Sequence, residues 1–372
     1  MKISDQSSAF IIGLALFAMF FGSGNLIYPL IIGQIAEGSW FSTAAGFLVT
    51  AVLVPFLGVI AMVLYKGNYI KFFNILGRRG GLLLTAILLT VWIPLGSGPR
   101  CMTLAYASIS SYFGGAVPIW LFSLLYSVMV YFVIRKNIGV LDIIGRYITP
   151  VLLASIGVVC VKAFIDLPEL QSGSAFDGEH FLMGITEGYN TMDLIAAFFF
   201  SASVIHIINK SGNTMGKTLS LVFKSSLIGM GILGAVYICL IAMAGHYSAI
   251  LVDVPNDQML AFLSQAILGP AWSIVAIVAI CSACFSTSIA LILVYMEFLE
   301  DDVLKNEKYH NLSIFIALGS SYVMSLFGLQ GITYITAPIL KICYPLLLIL
   351  IVFNIIKMAI RAKKSELSSA ES

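Results

Sequence analysis

Near the start of the chain, Gly22-Ser23-Gly24-Asn25 interrupts an apolar run that extends from Phe10 to Ile35. Two closely spaced glycines lower helix propensity by about 1 kcal/mol each relative to alanine, and an asparagine amide competes for backbone groups. An unwound point inside a helix is therefore expected here. Such a break exposes two kinds of backbone chemistry. The half-helix that resumes near Leu26 presents free N–H groups and a positive dipole end to an anion such as a carboxylate. Carbonyls of the preceding half, near Ala18 to Phe21, are freed to coordinate a cation. The same glycines can instead serve close helix packing or a kink. Two further stretches bear on the choice. "FFFSAS" at 198–203 is read as a second interruption of an apolar run, and Ser286, Thr287 and Ser288 place consecutive hydroxyls inside a third. Hydroxyl and carbonyl oxygens suit a small hard cation; the bland role of such hydroxyls is to bond their own helix or a neighbouring one.

Arg100, Asp193 and Lys341 also lie inside apolar runs, where an unpaired central charge costs at least about 2.5 kcal/mol. Each should have a partner, and the expectation is that Arg100 or Lys341 pairs with Asp193 in an outer gate. Asp193 can alternatively cap a helix, and Lys341, between Pro338 and Pro345, can snorkel outward.

The elements that must position these groups follow from composition. Of 372 residues, 60% are hydrophobic and 10% charged, and the mean hydropathy is +1.01. A bilayer core needs about 20 apolar residues per helix, and such runs recur along the chain. Runs such as "LLLTAILLTVWI" do not alternate as the strands of a membrane barrel would, so the expected fold is an all-α polytopic membrane protein. About ten spans are read: 8–35, 40–65, 80–113, 117–134, 139–165, 183–208, 219–245, 262–298, 312–329 and 331–357. The N-terminus does not read as a cleaved signal peptide. Lys66, Lys71, Arg78, Arg79, Arg135, Lys136, Arg146, Lys210, Lys217, Arg361, Lys363 and Lys364 fall on one side if the N-terminus is there too. The opposite loop is acidic, with Asp166, Glu169, Asp177, Glu179 and Glu187. Positive residues mark the cytoplasm, which puts both termini inside.

Ten helices divide into two sets of five, and an odd number per set makes the second begin on the opposite face, as in transporters built from inverted repeats. The expected organisation is a first repeat over 1–165, an extracellular loop over 166–182, a second, inverted repeat over 183–357 and a cytoplasmic tail over 358–372. The first and sixth helices are expected to be broken, near 22–25 and 198–203. An intramembrane enzyme would need a nucleophile with a matched base, or metal-spaced ligands. Cys281 and Cys284 form a lone CxxC without a second pair, the histidines 180, 206, 246 and 310 form no metal motif, and the expectation is that the chain is not an enzyme and carries no cofactor. Net charge is +2, with no tract suited to nucleic acid and no obligate protein partner evident; the expected partners are a small molecule and the lipid bilayer.

Three stretches together resemble the bacterial branched-chain amino acid transport system II carrier family, the Leu/Ile/Val cation symporters. "LFAMFFGSGNLIYP" is similar to its opening signature, "GPRCMTLAY" at 98–106 to its Pro-Arg-Thr segment, and "EGYNTMDLIAA" at 187–197 to its Gly-Tyr-X-Thr-Met-Asp segment. Ser23 stands for a usual alanine, Leu30 for a second proline and Ser201 for a glycine, which bears on substrate preference. The resemblance implies the LeuT-like fold of two inverted five-helix repeats and cation-coupled uptake of Leu, Ile or Val across a bacterial inner membrane by alternating access. It implies that the amides of Ser23 and Gly24 meet the substrate carboxylate and the carbonyls of Phe200, Ser201 and Ser203 its ammonium. The carbonyls of Ala18 and Phe21 with the hydroxyls of Ser286 and Thr287 would form a cation site, and Asn25 would bind a second cation or hold the break in shape. Na⁺ is favoured over H⁺, because that ligand set contains no titratable group. A carrier for another neutral amino acid and a channel are the alternative readings.

Overall fold

Helices apolar around their whole circumference have no face for water, so they pack on one another or on lipid. In the computed structural model, which describes residues 5–113, 117–135, 140–166, 176–210, 212–269 and 272–370, the chain is a bundle of such helices, and no strand occurs among the described residues. The chain runs through α1 (Asp5–Phe20) and α2 (Ser23–Ala36). Then come α3 (Trp40–Leu64), α4 (Tyr69–Tyr112), α5 (Ile119–Arg135) and α6 (Val140–Ile165). A pair follows, α7 (Gly178–Asn190) and α8 (Asp193–Lys210). The remainder is α9 (Met215–His246), α10 (Met259–Leu268), α11 (Ile274–Leu304), α12 (His310–Ser325) and α13 (Gly328–Ala370).

Seven of these helices are long and apolar enough to cross a bilayer, and the bent pair α1/α2, taken as one broken span, brings the number to eight among the described residues. With α5 and α12 of 17 and 16 residues, the arrangement is compatible with ten crossings. The expected loop over 166–182 falls largely outside the described residues, as do Lys136 and Glu169, and α7 already begins at Gly178 within its far end. The stretch read as a tail from 358 continues α13 to Ala370.

Burial sorts the bundle into a centre and a periphery. The helices α8 and α11 bury 78% of their apolar windows, against 39% for α6 and α13. Lipid is as apolar as leucine, so helices associate through close packing, and small residues let backbones touch. A Cβ on Gly46 of α3 would lie 2.0 Å from the Phe181 carbonyl oxygen of α7, and one on Gly184 of α7 would lie 2.2 Å from the Thr43 carbonyl oxygen. The Thr50 hydroxyl donates across the same seam to the Ile185 carbonyl at 2.7 Å. This contact clamps α7 on α3 and so fixes where α8 begins.

The sixth-helix break requires a correction. "FFFSAS" at 198–203 is not interrupted: it lies within continuous α8, and the break is at Thr191-Met192, where Met192 adopts φ 62°. Aromatic and serine residues satisfy a helix as readily as they leave one. The Ser201 hydroxyl does so by donating to the Ala197 carbonyl at 2.6 Å. Left-handed φ is uncommon for a side chain like methionine, and it marks where the chain turns.

Candidate functional site

The first break falls where the glycines place it. Helix α1 stops at Phe20, α2 starts at Ser23, and their axes differ by 69°. The Asn25 carboxamide oxygen accepts from the Gly22 N–H at 3.1 Å, and the Leu26 N–H returns to the Gly22 carbonyl at 3.3 Å. Asn25 therefore holds the break in shape. The amides of Ser23 and Gly24, in the first turn of α2, have no acceptor within their own helix.

Each glycine brings the break against a different neighbour. A Cβ on Gly22 would sit 2.8 Å from Thr287 Cγ2 of α11, and one on Gly24 would sit 3.4 Å from the Thr191 carbonyl oxygen at the second break. The two breaks are thus adjacent in space. On the α11 side, the Ala18 carbonyl accepts from Ser286 Oγ at 3.0 Å and Thr287 Oγ1 at 3.2 Å. Three oxygens converge there, from the elements the sequence linked. The Ser286 hydroxyl also lies 2.9 Å from the Ser282 carbonyl oxygen, so it has an acceptor on its own helix as well. Ser288 turns away and bonds the Tyr126 hydroxyl at 2.9 Å.

At the second break the Thr191 hydroxyl donates to the Gly188 carbonyl at 2.8 Å, and Asp193 opens α8 with 2% exposure. Its carboxylate accepts from Asn25 Nδ2 at 2.7 and 2.8 Å and from the Tyr237 hydroxyl of α9 at 2.6 Å. Asn25 Nδ2 also contacts the Tyr237 hydroxyl. One buried carboxylate thereby ties α2, α8 and α9 together. The expected pairing of Asp193 with Arg100 or Lys341 is not formed: its carboxylate accepts from Asn25 and Tyr237 instead, and Lys341 points outward from the exposed face of α13.

Arg100 lies in α4 one turn beyond a π-helical stretch, Ile93–Ser97, in a region whose Pro94 and Pro99 lack the N–H that a regular helix uses. The guanidinium is buried, the residue being 6% exposed, and neither Nε nor Nη2 has a partner. It borders a small space of ≈ 30 Å³ that Ser23, Asp193, Phe200 and Thr287 also line. Trp92, Phe20 and Leu291 supply an apolar wall to the same space. The Phe200 ring centroid lies 5.4 Å from Trp92 and 5.9 Å from Phe20. A larger cavity of ≈ 420 Å³, lined by Ile27, Tyr28, Gln330 and Tyr334 among others, meets the small space at Ser23, Gly24 and Arg100.

Of the sequence-derived candidates, the structure gathers Ala18, Phe21, Ser23, Gly24, Asn25, Arg100, Asp193, Phe200, Ser286 and Thr287 around the paired breaks. It leaves Lys341 apart. Ser203 lies further along α8, where its hydroxyl donates to Glu297 of α11 at 2.7 Å. With "FFFSAS" helical, the carbonyls of Phe200, Ser201 and Ser203 are not freed by a break as expected. Tyr237, Trp92 and Glu297 were missed. A single tyrosine or tryptophan in an apolar helix gives no local signal, and only the fold shows that Tyr237 faces Asp193.

Comparison with known proteins bears on the cargo. A profile of the family described as "Branched-chain amino acid transport protein" matches residues 5–370. The branched-chain amino acid permease BrnQ of Bacillus subtilis (strain 168) is 28% identical over 371 residues, covering 97% of this chain and 84% of the relative. The branched-chain amino acid permease BraB of the same strain is 29% identical over 366 residues, covering 95% and 81%. Among solved structures, a manganese transporter of Eremococcus coleocola in complex with an aromatic bis-isothiourea substituted compound aligns over 93% of this chain and 85% of its own. The identity is 12% and the TM-score 0.49.

Proposed function

The chain belongs to the branched-chain amino acid transport protein family, a family of membrane transporters and not of enzymes, and from that premise we propose that it carries Leu, Ile or Val in symport with a cation by alternating access. The observation that carries the reading is the meeting of two helix breaks at one buried site, with peptide groups, a carboxylate and an apolar wall within a single small space. Irregular backbone at membrane depth is tolerated only where protein or a cavity surrounds it, and paired breaks in two halves of a chain mark a midplane binding site.

In this reading Asp193 takes the substrate ammonium, and Phe20, Trp92, Phe200 and Leu291 surround the branched side chain. An apolar wall discriminates by only about 1–3 kcal/mol per methylene, so Leu, Ile and Val compete. The space of ≈ 30 Å³ admits about two waters and no leucine, so in this reading the site must widen to take its substrate. Opening at Ser23 and Gly24 would join it to the larger cavity. The two breaks fall in the first helix of each expected five-helix repeat, which supports the inverted arrangement. The distribution of Lys and Arg supports a cytoplasmic side for both termini in a bacterial cell.

Na⁺ is the preferred coupling ion, with the Ala18 carbonyl and the hydroxyls of Ser286 and Thr287 as ligands. If their protons turn away, these oxygens offer lone pairs to a hard cation. Buried Asp193 beside the break supports a second reading, in which a proton is the coupling ion. Reconstituted in liposomes, the protein should accumulate labelled leucine only when an inward Na⁺ gradient is imposed, and Thr287→Ala should raise the Na⁺ concentration needed. Uptake driven by a pH gradient in Na⁺-free buffer would establish the proton reading, and equal uptake without any gradient would end the coupling claim.

A further inference from the structure

Buried guanidinium donors left without a partner are costly, because they lose water and gain nothing in return. Arg100 is in that state: Nε and Nη2 are unbonded, and no carboxylate among the described residues lies within ion-pair distance. Asp193, the buried acid on the wall of the same small space, accepts from Asn25 and Tyr237 and forms no ion pair with Arg100. Arg100 lines both the small space and the larger cavity, and Ser23 and Gly24, whose amides open α2, line both with it. The N-terminus of a 14-residue helix and an unsatisfied fork of N–H donors therefore face the same volume. On the small space's wall stands one further charge, the Asp193 carboxylate. A cavity with a cationic fork and an anion, not paired to each other, is complementary to a zwitterion.

We propose that Arg100 binds the α-carboxylate of the transported amino acid, together with the N-terminal amides of α2, and so selects substrates that carry that group. The inference rests on the reading that an amino acid is the cargo. It changes the role of Arg100 from a gating charge to a specificity-determining residue. Planar bidentate recognition explains an arginine at this position, since lysine offers a point charge without the fork.

Two ligands test it: leucine, and leucinamide, which keeps the ammonium and the side chain but replaces the carboxylate by a neutral amide. Equilibrium binding is measured on detergent-solubilised protein at saturating coupling ion. Arg100→Gln should weaken leucine binding by about tenfold or more, the loss of a charge-assisted pair, and leave leucinamide binding within about twofold. Arg100→Lys should keep part of the preference for leucine. Because Arg100→Gln removes an unpaired buried charge, the ligand-free protein should unfold at the same temperature as wild type or higher. The stabilisation that leucine gives wild type at a fixed concentration should shrink accordingly. If Arg100→Gln prefers leucine over leucinamide as strongly as wild type does, the inference is overturned, and a lowered unfolding temperature with that preference intact assigns Arg100 to structure alone. Should Arg100→Gln not fold, Arg100→Lys decides by the same ratio, an unchanged ratio with undiminished leucine affinity overturning it. Wild-type protein that binds no leucine would overturn the amino-acid reading itself, and this inference with it.

Discussion

Asp193→Asn isolates the charge at the second break while keeping the shape of the side chain. In the ligand-free protein the substitution should cost stability modestly and leave the fold intact. The oxygen of the introduced carboxamide would still accept from Asn25 Nδ2, and its nitrogen could donate to the Tyr237 hydroxyl, which in the native protein donates to Asp193 Oδ2 at 2.6 Å. The Tyr237 O–H would lose its acceptor, at a cost of about 1–3 kcal/mol, offset in part by the removal of a buried anion. Substrate binding should change as well. A hydrogen bond to a charged group contributes roughly 1.5–3 kcal/mol, which at 1.4 kcal/mol per factor of ten predicts a leucine Kd raised by about 10- to 150-fold. Labelled-leucine binding to solubilised protein, at fixed pH and saturating coupling ion, reads the affinity, and thermal unfolding of the same sample reads the fold. A folded Asp193→Asn protein whose leucine Kd stays within about twofold of wild type would refute the assignment. Asp193 would then be a structural tie between α2, α8 and α9.

Gly22→Ala should lower leucine uptake sharply with little loss of expressed protein, because its Cβ would press to 2.8 Å from Thr287 Cγ2 and push α11 from the break. Pairing it with a smaller neighbour, Thr287→Ser, should restore part of the uptake, and no recovery in the double variant would show that the contact is not what matters. At the start of α7, the Asp177 carboxylate caps the helix by accepting from the Glu179 N–H at 2.9 Å and contacts His180 Nδ1 at 2.6 Å. The contact with His180, and then the Glu179 amide, hold its carboxyl below the usual carboxylate range. A lowered carboxylate contributes stability that is complete above the unfolded pKa and is lost as pH falls through the folded value. The first turn of α7 should therefore stay protected from hydrogen exchange at neutral pH and fray only in acid, whereas Asp177→Ala should fray it at both.

Composition and hydropathy determined a helical bundle in a membrane, because each lipid-crossing helix must be apolar over its own length. That requirement is local and readable. The first break was legible for the same reason: Gly22, Gly24 and Asn25 weaken the helix where they stand. The second was not, because "FFFSAS" carries serines that a helix satisfies internally, while Thr191-Met192 breaks through a left-handed methionine without a glycine to announce it. Contacts between distant residues decided the rest. The sequence shows that Arg100, Asp193 and Lys341 are charges in apolar runs. Only packing shows that Asp193 is shared by Asn25 and Tyr237, that Lys341 faces outward and that Arg100 is buried with Nε and Nη2 unbonded. A side chain's partners across helices depend on how the helices are rotated and spaced, and close glycine seams such as Gly46 with Gly184 set those positions.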